Sequence, residues 1–387
     1  MTWDIRQGDA LALLRAMPDE SVQCVVTSPP YWGLRTYGTD PQVWGGDRDH
    51  AHEWIGAGTH RGGPPRPSHS GSVLGPRGGQ GSADAASTRG ASAGSSCACG
   101  AWLGELGSEP TPALFVGHIV EVLAEVRRVL RRDGTCWINL GDSYARNPGG
   151  YQGKTGDRRS RTFTAKTNHR KRGVGLKPKD LVGVPWLVAF ALRDAGWHLR
   201  CDIVWNKANP MPESVMDRPA RSHEYLFLLA ASQRYYYDGD AIRTPLAAKT
   251  ATTFGMVRAP IGDGSGLIKG ENYARSVPIR RPRLGSDGLP SGASSRSVWT
   301  IASQPFHEAH FATFPPALVE PCILAGSRPG DLVLDPFSGA GTTGLVALRH
   351  GRSFLGLELS PAYCEMARRR ILADQPLING PLAEAAR

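Results

Sequence analysis

Apolar residues recur along this chain in two rhythms, short unbroken runs and stripes spaced i, i+3, i+4, and the two take turns. Trp3 to Asp9 reads as a strand, Ala10 to Met17 has helical apolar spacing, and Val22 to Val26 is a buried strand. The stripe Leu114, Ile119, Val122, Leu123, Val126, Val129 and Leu130 predicts a helix over Thr111 to Leu130, after which Asp133-Gly134 turns the chain into a strand at Cys136 to Leu140. A helix over Leu181 to Ala195, a strand over Leu199 to Trp205 and the apolar run Glu224 to Ala230 follow, and the sheet is expected to continue into Tyr235 to Tyr237. The last unit is the most regular: helix Pro316 to Ala325, strand Leu332 to Asp335, a glycine loop, helix Gly344 to His350 and strand Phe354 to Glu358. Helices alternating with short buried strands predict a doubly wound, mostly parallel α/β sheet.

Several stretches break the rhythm. Residues 55–101 contain no Phe, Trp or Tyr and are dominated by Gly, Ser, Ala, Pro and Arg, so they cannot bury enough surface to offset their ordering entropy. A flexible insertion is expected there, bounded at 46–110. Residues 146–179 hold eleven Lys/Arg and one acid, Asp157, so a net charge of +10 over 387 residues is concentrated in one segment. Residues 243–297 are again Gly/Ser/Pro-rich, with nine Lys/Arg against three acids. Such local excess suits an acidic partner, nucleic acid first, although a solvated basic loop has the same composition. Seven scattered cysteines and an opening without a secretory leader predict a reduced, cytoplasmic protein, and the longest apolar run, Val184 to Leu192, is too short to span a bilayer.

Two loops carry candidate chemistry. Asp335-Pro-Phe337-Ser-Gly339-Ala-Gly341-Thr342-Thr343-Gly344 lies between a strand and a helix, with Glu358 at the end of the next strand. This satisfies G-x-G-x-x-G with an acid placed to bind ribose hydroxyls, and as a bare pattern it also fits a tight turn or an NAD site. Asp335 at the strand tip would repel a pyrophosphate and attract an ammonium, which favours a nucleoside with a cationic amino-acid tail. The second loop, Ser28-Pro29-Pro30-Tyr31, follows the buried strand at the end where open α/β sheets place their sites. Two prolines remove backbone donors and leave carbonyls that only accept. Acceptors that hold both hydrogens of an exocyclic base amine, here the Ser28 hydroxyl and Pro29 carbonyl, favour the pyramidal nitrogen that attacks a methyl group. Tyr31 would stack on a base swung out of the duplex. In isolation Pro-Pro-Tyr is also a rigid turn or a proline-rich ligand.

Ser-Pro-Pro-Tyr near the start and Asp-Pro-Phe-Ser-Gly-Ala-Gly-Thr-Thr near the end resemble the catalytic and cofactor motifs of DNA amino-methyltransferases of the permuted β class. Gly8-Asp9, Val129 to Ser143, Val204 to Lys207, Ser222 to Tyr225 and Phe311 to Pro316 resemble further motifs of the family. The resemblance implies a Rossmann-like S-adenosylmethionine-dependent methyltransferase fold, circularly permuted in motif order and carrying basic loop insertions. It implies catalytic roles for Ser28, Pro29, Pro30 and Tyr31. Cofactor contacts are implied from Asp9, whose bland reading is a helix cap, and from Asp335, Phe337, Gly339, Gly341, Thr342, Thr343 and Glu358. Double-stranded DNA is the implied partner, with a cognate restriction endonuclease as a further one and a bacterial or phage source. Serine rather than aspartate before Pro-Pro-Tyr is similar to many cytosine-N4 enzymes, which makes N4 of cytosine the expected target and N6 of adenine the alternative. A catalytically silent DNA-binding protein of the same fold is a third reading. Cytosine-C5 chemistry would need a cysteine nucleophile, and Pro321-Cys322 lies in an apolar helical pattern that reads as core.

The expected organisation is therefore a catalytic domain assembled from 1–45, 111–145, 180–240 and a cofactor-binding part at 301–375. Around it lie the 46–110 insertion, a basic DNA-contacting loop at 146–179, a target-recognition region at 241–300 and a tail at 376–387. Arg158, Arg159, Arg161, Arg170, Lys171 and Arg172 are candidate phosphate contacts, and Arg280, Arg281 and Arg283 candidate readers of guanine edges. His223-Glu224 reads as a small polar site or as a pair that orients a loop near the flipped base. His50, His52, Cys97 and Cys99 bracket the insertion and would complete a structural zinc site, or are unrelated loop residues.

Overall fold

The computed structural model describes residues 2–33, 39–47, 49–55, 94–145, 175–244, 292–304 and 314–374. In chain order its elements are β1 (Trp3–Gln7), α1 (Ala10–Arg15), β2 (Val22–Thr27), β3 (Gln42–Trp44), β4 (Ser95–Ser96), β5 (Trp102–Gly104), α2 (Pro112–Val129), β6 (Leu130–Leu140), α3 (Val184–Asp194), β7 (His198–Lys207), β8 (His223–Ala230), β9 (Val298–Ile301), α4 (Pro316–Gly326), β10 (Leu332–Asp335), α5 (Thr342–Arg349), β11 (Ser353–Glu358) and α6 (Pro361–Asp374). Eight strands form one sheet in the order β1-β11-β10-β2-β6-β8-β7-β9. Within it β8 alone runs against the others, pairing antiparallel with both β6 and β7. One sheet edge therefore gathers the carboxyl ends of the other strands and the amino end of β8.

The two ends of the chain close this sheet. β1 pairs in parallel with β11 from Trp3 opposite Phe354 to Gln7 opposite Glu358, and Gly8 N–H donates to the Glu358 carbonyl at 2.9 Å. Successive side chains of a strand point to opposite faces, and here they divide into two cores. Val25, Ile138, Phe227, Leu334 and Leu357 pack with α1, α2 and α3, whereas Cys24, Val26, Trp137, Val333 and Phe354 pack with α4, α5 and α6. Helix α2 shows why the periodicity is readable: Thr111 Oγ1 caps it by accepting from Leu114 N–H at 3.2 Å, Pro112 opens it, and Phe115, Ile119, Val122, Val126 and Val129 are buried along one stripe.

The structure departs from the sequence expectations in three places. Tyr235 to Tyr237 form no strand; the sheet turns to β7 instead, and Tyr237 lies against Trp137 with ring centroids 6.5 Å apart. Residues 94–110 are built rather than flexible: β5 pairs antiparallel with β3 on one side and β4 on the other in a second sheet, and Trp102 and Leu103 are buried. Local composition there is poor, but the few large side chains have tertiary partners. Helix α6 carries little apolar signature in the sequence, because only Cys364, Ala367 and Ile371 of its fourteen residues are buried. The candidate contacts Arg158, Arg159, Arg161, Arg170, Lys171, Arg172, Arg280, Arg281 and Arg283 lie outside the described residues. Among the described residues no helix is long and apolar enough to cross a membrane.

Candidate functional site

Parallel neighbours β10 and β2 end side by side, and each end is tied to the other. Thr27 Oγ1 donates to Asp335 Oδ1 at 2.7 Å, a bond that spans 308 positions of sequence. Phe337 N–H donates to the same oxygen at 3.1 Å, and Thr343 Oγ1 to Asp335 Oδ2 at 2.8 Å. Asp335 has no exposed surface. Burial pushes its carboxyl up to about 6, against the pull of those three hydrogen bonds. Both of its oxygens are thus engaged by Thr27, Phe337 and Thr343 beneath the glycine loop.

The loop itself turns into α5 through Gly341, whose φ of +73° suits glycine and whose added Cβ would come within 2.9 Å of Ala367 Cβ. Arg370, on α6, secures it by donating to the Ala340 carbonyl at 3.1 Å and to Thr342 Oγ1 at 2.8 Å. Glu358, at the end of β11, accepts from Gly339 N–H and Ser360 N–H, both at 2.8 Å, one on each oxygen. Each oxygen keeps a lone pair for a further donor, as vicinal hydroxyls require. Burial raises the Glu358 carboxyl, the two N–H donors opposing it. Asp9 caps α1 by accepting from Ala12 N–H at 2.8 Å, and burial raises its carboxyl too.

Tyr31 is the centre of a second cluster. Its phenol oxygen lies 2.8 Å from Asn139 Oδ1 and 2.7 Å from Glu224 Oε2, and Ser28 Oγ donates to it at 3.2 Å. Asn139 cannot turn its amide over without loss, because Nδ2 donates to the Tyr225 carbonyl at 3.1 Å. Lys207 Nζ holds the other Glu224 oxygen at 2.5 Å and sits 4.8 Å from the centre of the Trp205 ring. Two acceptors thus converge on a phenol that carries one hydrogen, so the cluster has room for one more proton. The Tyr31 ring packs against the chain at Gly141, where an added Cβ would come within 2.6 Å of it.

Both clusters open on one cavity of about 990 Å³ along the sheet edge, at the large end of small-molecule sites. Of the expected residues, Asp9, Ser28, Pro29, Pro30, Tyr31, Phe337, Gly339, Thr342 and Glu358 line it. Asp335 and Thr343 are enclosed beneath it. Sequence reasoning assigned no chemistry to Asn139 or Lys207, which come from β6 and β7, and saw Glu224 only as half of a polar pair. The lining suits a nucleoside with a cationic tail: acids at Asp9 and Glu358, an aromatic ring at Phe337 and a backbone cradle at Gly339. Cys322 is fully buried in α4, with its thiol pushed well up by burial, which makes it core and not a nucleophile.

Comparison with known proteins places these features. The model of a DNA methylase family, N6_N4_Mtase, matches residues 22–369. The chain is 38% identical over 365 residues to the Type II methyltransferase M.XycI of Xanthomonas campestris pv. cyanopsidis, covering 94% of this chain and 86% of that one. It is 36% identical over 368 residues to M.Cfr9I of Citrobacter freundii, covering 95% and 87%. Among solved structures, the cytosine-N4-specific PvuII DNA methyltransferase is similar in fold, with a TM-score of 0.50 and 16% identity over 98% of this chain and 93% of that one.

Proposed function

The chain belongs to the DNA methylase family of amino-methyltransferases, with S-adenosyl-L-methionine as methyl donor and DNA as substrate, and from that premise we propose that it methylates N4 of a cytosine swung out of the duplex at a specific site. The observation that carries this reading is the hydrogen bond between Thr27 and Asp335. It holds the residue before Ser28 against the base of the glycine loop, so the amine-binding and donor-binding loops share one cavity.

When bound, S-adenosyl-L-methionine supplies an electrophilic methyl on a sulfonium. The amine that must attack it is weakly nucleophilic, because its lone pair is delocalised into the ring. Ser28 and Pro29 supply acceptors for its two hydrogens and so favour the pyramidal geometry. The Ser28 hydroxyl donates to Tyr31, which leaves its lone pairs for the amine. Tyr31 stacks on the base, with its ring close against Gly141 and its phenol pinned by Asn139 and Glu224. The proton lost from nitrogen passes along Ser28 and Tyr31 to Glu224, whose charge Lys207 balances. Serine at position 28 supports cytosine over adenine, in keeping with the cytosine-N4 motif it resembles.

The test uses the purified chain, S-adenosyl-L-methionine and methylation-free DNA, followed by digestion to nucleosides and mass spectrometry. N4-methylcytosine at one sequence motif is expected. N6-methyladenine would overturn the choice of base, and absence of both from folded protein would overturn the catalytic reading.

A further inference from the structure

Strands β3, β4 and β5 form a small sheet beside the cavity, and a cluster on it has no part in the chemistry above. His50 and His52 come from the segment that leaves β3, and Cys97 and Cys99 from the turn between β4 and β5. The ligand atoms of His50, Cys97 and Cys99 all lie within 4.8 Å of one another. His52 Nδ1 is 3.4 Å from Cys99 Sγ. Two pairs separated by 45 positions of sequence are thus brought together, three of the ligand atoms in one group and His52 against the Cys99 sulfur at its edge.

Local structure explains how a one-residue spacing aims both sulfurs the same way. Cys97 N–H donates to the Ala101 carbonyl at 2.8 Å, and Gly100 N–H to the Cys97 carbonyl at 3.0 Å, closing a tight turn with Gly100 at φ +92°. The two cysteines sit at its first and third corners, so neither is directed outward along an extended strand. On the facing segment His52 is backed by Trp54, ring centroids 5.0 Å apart, and Ile55 and Ser96 exchange backbone hydrogen bonds of 2.8 and 3.1 Å that hold the two stems in register.

We propose that His50, His52, Cys97 and Cys99 form a structural zinc site. Ligands about 2.0–2.3 Å from a tetrahedral zinc lie about 3.3–3.8 Å from one another, and the His52–Cys99 separation falls in that range. Two thiolates with two imidazoles, and no carboxylate among them, select zinc over magnesium or calcium. The nearby His118 is not a competitor: it is buried, bonded through Nδ1 to Glu109 Oε1 at 2.9 Å and stacked between Trp44 and Trp102. The ion clasps the two stems that flank residues 56–93. Those stems lead into the cavity wall, where Trp44, Glu105 and Leu106 line the space and Gly33 N–H donates to the Gly107 carbonyl at 2.6 Å. The clasp therefore steadies the segment that follows Tyr31.

The test is metal analysis of the full chain, purified without a histidine tag from zinc-containing medium. About one zinc per chain is expected. Cys97→Ser/Cys99→Ser and His50→Asn/His52→Asn lose it, while Cys201→Ser, a half-buried cysteine elsewhere, keeps it. The wild-type chain refolded with cobalt should show the thiolate charge-transfer and intense visible bands of a tetrahedral site, a readout that does not depend on any variant folding. Wild-type protein with less than a tenth of an equivalent of zinc, an octahedral cobalt spectrum, zinc retained by the Cys97→Ser/Cys99→Ser chain, or a Cys97–Cys99 disulfide found by mass would each overturn the proposal.

Discussion

Asp335→Asn removes a charge that the fold holds at the tip of β10 without any exposed surface. The carboxyl rises from an ordinary 3.8 to about 6 on folding, with burial as the largest cause. A carboxyl raised in this way keeps its proton in the folded chain at pH values where the unfolded chain has released it. Its contribution to stability is accordingly a cost, absent below about pH 4, growing as pH rises from there through 6, and complete above that. A rise of about two pH units corresponds to about 3 kcal/mol, roughly half of which develops between pH 5 and 7.5. Asparagine avoids this cost and still fits the site: its carbonyl accepts from Thr27 and Phe337, and its amide donates to Thr343, whose hydroxyl also reaches the Val26 carbonyl at 3.2 Å. Urea denaturation followed by tryptophan fluorescence, run on both proteins at several pH values, isolates this contribution because all other titrating groups cancel in the difference. The stability of Asp335→Asn relative to wild type should rise by about 1–2 kcal/mol from pH 5 to 7.5. A difference that is flat or falls over that interval would refute the assignment of a carboxylate whose burial outweighs its three hydrogen bonds.

Glu224→Gln should lower kcat roughly 10–100-fold with little change in KM for DNA, since it removes a charged hydrogen bond and the proton acceptor together; an unchanged single-turnover rate would sink the relay. Gly141→Ala places a Cβ within 2.6 Å of the Tyr31 ring and should cost on the order of 100-fold in methylation rate through misplacement of the base, with circular dichroism unaltered. Gly341→Ala, at φ +73°, should cost about 1–3 kcal/mol in a urea titration and weaken binding of S-adenosyl-L-methionine measured by calorimetry. Replacing Arg158, Arg159, Arg161, Arg170, Lys171 and Arg172 by serine should flatten the dependence of log Kd on log salt by about 0.9 per phosphate contact removed; an unaltered slope would take this segment out of the DNA interface.

Much of this protein is written locally. The stripe of α2, the buried run of β2 and the glycine turn after β10 are each decided by residues within a few positions of one another, so periodicity and turn chemistry read them directly. The Ser28 and Gly339 loops were legible for the same reason, and the resemblance they carry supplied the family. Short strands such as β3, β4 and β9 were not legible, because two to four residues give no period, and they exist only where a partner strand pairs them. Asn139, Lys207 and Glu224 were missed as a set for a related reason: they meet only because β8 runs antiparallel between β6 and β7, a register no local pattern contains. The sequence by itself determined the alternation of elements, the two loops and the charge that suits DNA. Tertiary structure alone decided that Asp335 faces inward to Thr27 and Thr343, that Tyr31 is pinned by Asn139 and Glu224 from two distant strands, and that His50, Cys97 and Cys99 gather with His52 against the Cys99 sulfur. Side-chain direction and long-range pairing are set by the closing of the whole sheet, and only then do residues hundreds of positions apart acquire a common environment.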